Sequence, residues 1–459
     1  MKVIICGAGQ VGVSIARYLA TEDNEVTIVD HRPEPIRAVV DTLDVQAVVG
    51  HASLPGVLEQ AGAADAEIVI AATRSDETNM VACQIAHALF NVPTKIARIR
   101  NQDYLAPHWA DLFSRENMPI DVTISPEIEV AEAIARRLKV PGALDVIELA
   151  DGLVRLVGVR LTESTPVVFT PLRQLTQLFP DLSIIVVAIV RNGRAMVPSA
   201  DDQMLPGDEA YFVLASSHTR RALALFGHEE PQARRLLILG AGNVGMFLTK
   251  SLARDFPRLS WKMVEVSPER AKMVARELHN ASPLLVGDVL DPDILREAGV
   301  EQAETVIAVT NDDETNVLSS LLAKHCGATR AITLLNKSTY NALVGSLNVD
   351  VVVNPRSITV SRILQHVRRG RVHSVHPIYD GFGELIEADA LETSPLVGKP
   401  LRDINLPAGV ILGALVREGE TITPCGTTVI QPGDRIILFA SAASIRKVER
   451  FFSVGVDFF

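Results

Sequence analysis

The chain repeats itself, and the repeat constrains the fold more than any other feature. KVIICGAGQVGVSIARYLA (Lys2–Ala20) lies over RLLILGAGNVGMFLTKSLA (Arg235–Ala253), with all three glycines displaced by 233 positions. PGVLEQAGAADAEIVIAATRSDETN (Pro55–Asn79) lies over PDILREAGVEQAETVIAVTNDDETN (Pro292–Asn316), displaced by 237. Two separated blocks matched in the same order mark a duplicated module, not a chance tetrapeptide. A chain of 459 residues also exceeds what a single core organises, so two to four domains are expected.

Within each copy, short apolar runs alternate with helical stretches. The first copy offers strands at Val3–Cys6, Glu25–Asp30, Ala47–Gly50, Ile68–Thr73 and Thr94–Arg98. The second offers Leu236–Leu239, Lys262–Glu265, Leu284–Gly287, Val306–Thr310 and Ala331–Leu334. Runs this short and this uniformly apolar suit strands buried on both faces of a parallel sheet, with the helices covering them. After each module the texture changes to short strands and turns. These tails match as well: TPVVFTPL (Thr165–Leu172) over SPLVGKPL (Ser394–Leu401), and LPGDEAYFVLAS (Leu205–Ser216) over QPGDRIILFAS (Gln431–Ser441). Pro-Gly-Asp before an apolar run is a turn entering a strand. The expected fold is therefore α/β, with two tandem Rossmann-like, doubly wound parallel-sheet domains, each followed by a small α+β module. The expected boundaries are 1–140, 141–227, 234–370 and 371–459, with a polar linker at His228–Ala233.

A formal net charge of −11 argues against nucleic acid. Cys6, Cys83, Cys326 and Cys425 stand singly, without a CxxC pair, and read as reduced residues rather than a zinc site or disulfide framework. The start MKVIICGAG is not expected to be a signal peptide. The longest clean aliphatic stretch, around Ile184–Val190, falls well short of the roughly 20 residues that span a bilayer, so no membrane span is expected.

The duplicated motif carries chemistry. Gly7-Ala8-Gly9-Gln10-Val11-Gly12 follows an apolar strand and opens a helix, which is the context a GxGxxG dinucleotide fingerprint requires. The first glycine permits the tight turn, the second lets the backbone approach a pyrophosphate, and the third lets helix and strand pack closely. The helix N-terminus then offers unpaired N–H groups to phosphates. Asp30 ends the second strand, where a carboxylate accepts hydrogen bonds from ribose hydroxyls and repels a 2′-phosphate, which favours NAD(H) over NADP(H). The second copy offers Gly240, Ala241, Gly242, Asn243, Val244 and Gly245, with Glu265 at the end of its second strand. The competing reading is a Rossmann core that binds nothing.

Thr73-Arg74 and Thr310-Asn311 follow the fourth strands, at the carboxyl edge where ligands bind in this fold. Asp76 and Asp313 are expected as helix caps, with Asn79 and Asn316 on the helix face. Arg98 ends the fifth strand and either pairs with a phosphate or lies solvated at the sheet edge. Its counterpart is read as Thr333, and that of Arg100 as Leu335, so the two sites are expected to differ. His51 against Asp288 is a further asymmetry, with no role assigned. His373 and His376, in RVHSVHP, are read as a junction strand rather than a metal pair. No HExxH, GxSxG, P-loop or paired-carboxylate signature is present. A second nucleotide module stands where a dehydrogenase would carry its substrate domain. A sensor without catalytic residues is therefore expected, with an NAD-dependent dehydrogenase built on a duplicated domain as the alternative.

The two GAGxVG loops, GHAS (Gly50–Ser53), the ATRSDETN and VTNDDETN blocks and the paired PGD turns together closely resemble the TrkA family. These are regulatory subunits of bacterial Trk potassium uptake, each made of two regulator-of-potassium-conductance units. The resemblance covers essentially the whole chain. It implies a non-enzymatic, cytoplasmic protein, peripheral on the inner face of the membrane, that binds NAD(H) and adenine nucleotides such as ADP and ATP. It further implies a homo-oligomeric ring, a tetramer, docked on a Trk-type potassium-translocating membrane protein and gating it. Carried over by position, the first site is Gly7, Ala8, Gly9, Gln10, Val11, Asp30, Thr73, Arg74 and Arg98. The second is Gly240, Ala241, Gly242, Asn243, Val244, Glu265, Thr310 and Asn311.

Overall fold

The computed structural model describes all residues except 21–23, 180, 181, 183, 279–282, 338–348, 368–371, 380, 450 and 453–459. Its first sheet is six-stranded and wholly parallel, in the order Gln46–Val49, Glu25–Asp30, Lys2–Cys6, Ile68–Ala71, Thr94–Arg98, Val122–Ile124. Numbered along the chain this is 3-2-1-4-5-6, the doubly wound arrangement. The order reverses between the first and fourth strands, and the crevice at that switch point lies at the carboxyl ends of the strands. The second sheet repeats it: Leu284–Val286, Ser260–Glu265, Arg235–Leu239, Thr305–Ala308, Arg330–Leu334, Val351–Val353. The five strands expected per copy are present, Glu25–Asp30 and Thr94–Arg98 with the expected ends and the others shifted by at most two residues. The sixth strand of each sheet is not among the expected ones. Both are three residues long, too short to register as a run in sequence.

Each parallel sheet precedes a five-stranded antiparallel sheet. The first comprises Ala143–Leu149, Val154–Arg160, Ile185–Arg191, Arg194–Met196 and Glu209–Ala215. The second comprises Val372–Ile378, Gly383–Asp389, Val410–Arg417, Glu420–Ile422 and Arg435–Ser441. The PGD turn earns its repetition here. Gly207 and Gly433 adopt φ of +88° and +85°, a region natural to glycine. The following aspartates are buried. Asp208 accepts from the Arg191 guanidinium at 2.9 and 2.8 Å, and Asp434 from that of Arg417 at 2.8 and 2.7 Å. Each also takes a backbone N–H from the residue three positions earlier, Leu205 or Gln431. One buried carboxylate thus ties the turn to a neighbouring strand by a bidentate pair.

The chain divides into two compact units, and their boundary does not follow the repeat. One unit is Met1–Glu129 with Arg356–Arg369; the other is Val130–Pro355 with Gly370–Phe459. By chain position the helix Pro355–Val367 lies in the expected second module, 234–370. In space its Val360, Ile363, Leu364 and Val367 are buried in the first module's core with Ile5, Ile15, Ile28 and Ile70. In the larger unit the two antiparallel sheets share an apolar core, in which Val213 meets the backbone of Gly413 and Phe439 lies fully buried.

Candidate functional site

The glycine-rich loops show which glycines the protein itself requires. Gly7 and Gly240 have φ of +112° and +106°, and a Cβ on either would stand 3.0 Å from the loop after the fourth strand. A Cβ on Gly12 would fall 1.9 Å from the Gly7 carbonyl oxygen, and one on Gly245 2.3 Å from that of Gly240. The first and third glycines are therefore fixed by turn and helix packing. The second is not. Gly9 and Gly242 lie outside the positive-φ region, and a Cβ on either would meet nothing within 4 Å. Both copies keep a glycine where the protein alone would accept a side chain, in the open space before the helix. The first intrahelical bonds run from Val13 N–H to Gly9 O and from Met246 N–H to Gly242 O. The N–H groups of Gln10, Val11 and Gly12, and of Asn243, Val244 and Gly245, precede those bonds and face the helix N-terminus.

Each acidic strand end closes on its loop. The Ala8 N–H donates to Asp30 Oδ2 at 2.8 Å, and the Ala241 N–H to Glu265 Oε2 at 2.8 Å. Ala8 and Ala241 are buried. Asp30 also receives the Arg32 N–H at 2.9 Å and the Arg32 guanidinium at 3.2 and 3.4 Å. Burial works against its charged form, yet Arg32 and the two backbone donors outweigh burial and hold the carboxyl below its ordinary pKa. Among the described residues no arginine bonds Glu265; its second donor is the Ser267 N–H at 3.0 Å. The second module places an arginine elsewhere. Arg270 donates to Ala241 O at 2.8 Å and to Asn243 Oδ1 at 3.0 Å, so its guanidinium lies along the loop. Sequence reading missed both arginines. Arg32 is only two residues beyond Asp30, but Arg270 stands where the first copy has Pro35, so no repeated position marks it.

At the ends of the fourth strands the side chains serve the loop itself. Thr73 donates its N–H and hydroxyl to Asn79 Oδ1 at 2.9 and 2.7 Å, and Asn79 Nδ2 donates to Arg98 O at 2.8 Å. Thr310 and Asn316 repeat this at 2.8 and 2.7 Å, with Asn316 Nδ2 donating to Leu334 O at 3.0 Å. Asn79 and Asn316 are fully buried staples joining the fourth and fifth strand ends. Arg74 and Asn311 are exposed on the same loops.

The aspartates do not cap their helices. Ser75 and Asp312 do, by accepting from Thr78 N–H and Thr315 N–H. Asp76 instead accepts from Arg100 N–H and Asn101 N–H at 2.9 and 2.7 Å, and Asp313 from Asn336 and Lys337 N–H, each at 2.9 Å. Their burial draws them toward the orphan amides after the fifth strand.

Arg98 is half-buried, and its Nε, shielded from solvent, has no hydrogen-bond partner among the described residues. Burial lowers its pKa, repulsion from Arg100 and Arg74 adds to that, and Glu127 and Asp76 oppose it. An unsatisfied buried guanidinium nitrogen fits an incoming anion. The expected counterparts need a correction of one residue. Ala71 pairs with Ala97 and Ala308 with Thr333, so Arg98 matches Leu334 and Arg100 matches Asn336. A one-residue slip exchanges the faces of a strand. Thr333 is accordingly buried against Ser320 at 2.7 Å. The asymmetry stands: Arg74, Arg98 and Arg100, after the fourth and fifth strands of one module, match Asn311, Leu334 and Asn336 of the other. His373 lies 2.8 Å from Asp389 across a strand pair.

The TrkA-N domain model matches residues 3–126 and 236–355, and the TrkA-C domain model matches 156–227 and 385–453. The chain is 53% identical to the Trk system potassium uptake protein TrkA of Azorhizobium caulinodans, over the full length of both. It is 40% identical to the TrkA of Halomonas elongata, again over the full length of both. The solved RCK domain of GsuK shares the fold at a TM-score of 0.58 and 18% identity, covering 98% of this chain and 94% of that one. The GsuK channel bound to NAD matches at a TM-score of 0.58 and 16% identity, over 98% of this chain and 78% of that one. Two domain models, each matched twice and in alternation, together with full-length relatives, place the chain in the TrkA family of Trk-system potassium uptake proteins.

Proposed function

We propose that the chain is a non-catalytic, nucleotide-sensing regulatory subunit that binds NAD(H) and related adenine nucleotides and gates a Trk-type potassium transporter. The observation that carries this reading is the repeated second glycine. Gly9 and Gly242 have no conformational or packing reason within the protein, and each opens space at a helix N-terminus beside an acidic strand end. That arrangement suits a pyrophosphate on the loop and a ribose at Asp30 or Glu265. The orphaned Arg98 Nε, with exposed Arg74, suits an anion at the first site, and the counterparts of both residues in the second module are uncharged. The fold shared with a channel described as bound to NAD supports the same ligand class.

No helix among the described residues is long and apolar enough to cross a membrane. The transporter is read as a separate chain, on whose cytoplasmic face this subunit docks as a homo-oligomeric ring, a tetramer. Repeated units close rings readily, and a ring offers a symmetric partner several equal contacts. Nucleotide acts by binding one ring state better than another; a 5- to 150-fold difference is about 1–3 kcal/mol per coupled site. Calorimetry with NADH, NAD⁺, ADP and ATP tests the binding step. Two sites per chain are expected, with Gly9→Asp and Gly242→Asp each removing one. No binding of any of the four to the wild type would falsify the reading.

A further inference from the structure

A cation grips the second glycine-rich loop and has no counterpart on the first. Arg270 Nε donates to Ala241 O at 2.8 Å, and Arg270 Nη2 to Asn243 Oδ1 at 3.0 Å. Ala241 and Asn243 flank Gly242, the N-cap of the helix Asn243–Asp255, so the guanidinium bridges the two neighbours of that glycine. Ser267 caps the helix Pro268–Glu277 by accepting the Arg270 N–H at 3.2 Å, which fixes where the side chain starts. Both acceptors of the guanidinium are neutral, and among the described residues Arg270 forms no ion pair. A guanidinium has five N–H donors, and these bonds spend two. Nη1 has no partner among the described residues and is not shielded from solvent. In the first module Gln10 and Pro35 hold the positions of Asn243 and Arg270.

A cation resting on neutral oxygens at a helix N-terminus is electrostatically misplaced, because that end already carries partial positive charge. An anion between them reverses the sign of both interactions. We propose that Arg270, positioned by Asn243, is the phosphate anchor of the second module, its unspent N–H groups pairing with the pyrophosphate that NAD(H) and ADP share. This rests on the reading of the second module as an adenine-nucleotide site. The space is there: a Cβ on Gly242 would meet nothing within 4 Å. A phosphate on that glycine meets the helix N–H groups and a guanidinium together. The bonds to Ala241 O and Asn243 Oδ1 hold the long side chain before the ligand arrives, so little rotamer freedom is lost on binding. Ala241 is held twice, its N–H by Glu265 and its carbonyl by Arg270, so one residue ties the acidic strand end to the cation. The first module solves the same problem differently. Arg32 spends its charge on Asp30, and the unpaired guanidinium nitrogen belongs to Arg98, at the end of the fifth strand.

The test is calorimetry of NADH and ADP on the full-length protein with one site closed. Gly9→Asp and Gly242→Asp both enter open space, so the fold tolerates them. Two replacements separate charge from bracing: Arg270→Gln keeps a neutral donor for the loop, whereas Arg270→Lys keeps the charge and loses the planar fork. In the Gly9→Asp background, Arg270→Gln should weaken NADH and ADP by about tenfold or more, the scale of one charge-assisted hydrogen bond. Arg270→Lys should recover most of that loss for both ligands. In the Gly242→Asp background, Arg270→Gln should leave the first site unchanged. Three results each overturn the proposal and leave nucleotide binding standing: Arg270→Gln binding as tightly as its parent, Arg270→Lys losing as much as Arg270→Gln, or Arg270→Gln weakening the first site equally. A Gly9→Asp protein that binds neither ligand, while the wild type binds, also overturns it. Failure of both ligands to bind the wild type overturns the underlying reading instead.

Discussion

Single residues decide whether the loops are structural or functional, and the glycines separate the two roles. A methyl on Gly12 collides with the Gly7 carbonyl at 1.9 Å, so Gly12→Ala must shift the helix or the strand end. It should cost about 1–3 kcal/mol, as overpacking does. Gly9→Ala meets nothing and should leave the denaturation midpoint unchanged while reducing nucleotide affinity. Urea denaturation beside calorimetry distinguishes them; a Gly9→Ala protein as unstable as Gly12→Ala would show that this glycine serves the fold. At this scale the sequence exposes the loops and acidic strand ends, because short-range spacing sets them. It does not expose Arg270, which reaches the loop only once a helix is folded against it. Nor does it expose the Asp76 and Asp313 partners, which lie on the loop after the next strand. Propensity points such aspartates to caps; tertiary amides compete and win.

At the scale of elements, the helix Pro355–Val367 departs furthest from the repeat. Its buried residues Val360, Ile363, Leu364 and Val367 recur at i, i+3, i+4 and i+7, the spacing of a helix with one apolar face. That pattern is legible in the sequence. The identity of the covered sheet is not, because any aliphatic surface satisfies the same stripe, and here the first module supplies it. Leu364→Ala should cost about 2–5 kcal/mol, the range for emptying a buried leucine site. Hydrogen exchange should accelerate in the strand Lys2–Cys6 and its neighbours while Arg235–Leu239 is unaffected. The opposite pattern would place the helix on the second module. The remainder of the fold was readable because duplication doubles each weak signal: an apolar run such as Ile68–Ala71 is ambiguous alone and persuasive beside Thr305–Ala308. The three-residue sixth strands gained nothing from doubling, since a run that short is no signal in either copy.

For the molecule as a whole, duplication provides two similar sites in one polypeptide that are free to diverge. They have diverged in charge: Arg32, Arg74, Arg98 and Arg100 of the first module are matched by Ser267, Asn311, Leu334 and Asn336 of the second, whose Arg270 has no arginine counterpart in the first. Two unlike sites let one subunit respond to two ligands, provided each ligand binds one functional state more tightly. The most direct measurement is potassium flux through a reconstituted Trk-type transporter, with and without this protein, across a titration of NAD(H), ADP and ATP. The wild type should shift the flux with nucleotide concentration. Gly9→Asp and Gly242→Asp should each remove part of that shift, and the double variant all of it. A flux indifferent to the protein at saturating nucleotide, or one that responds equally to the wild type and the double variant, would contradict the account.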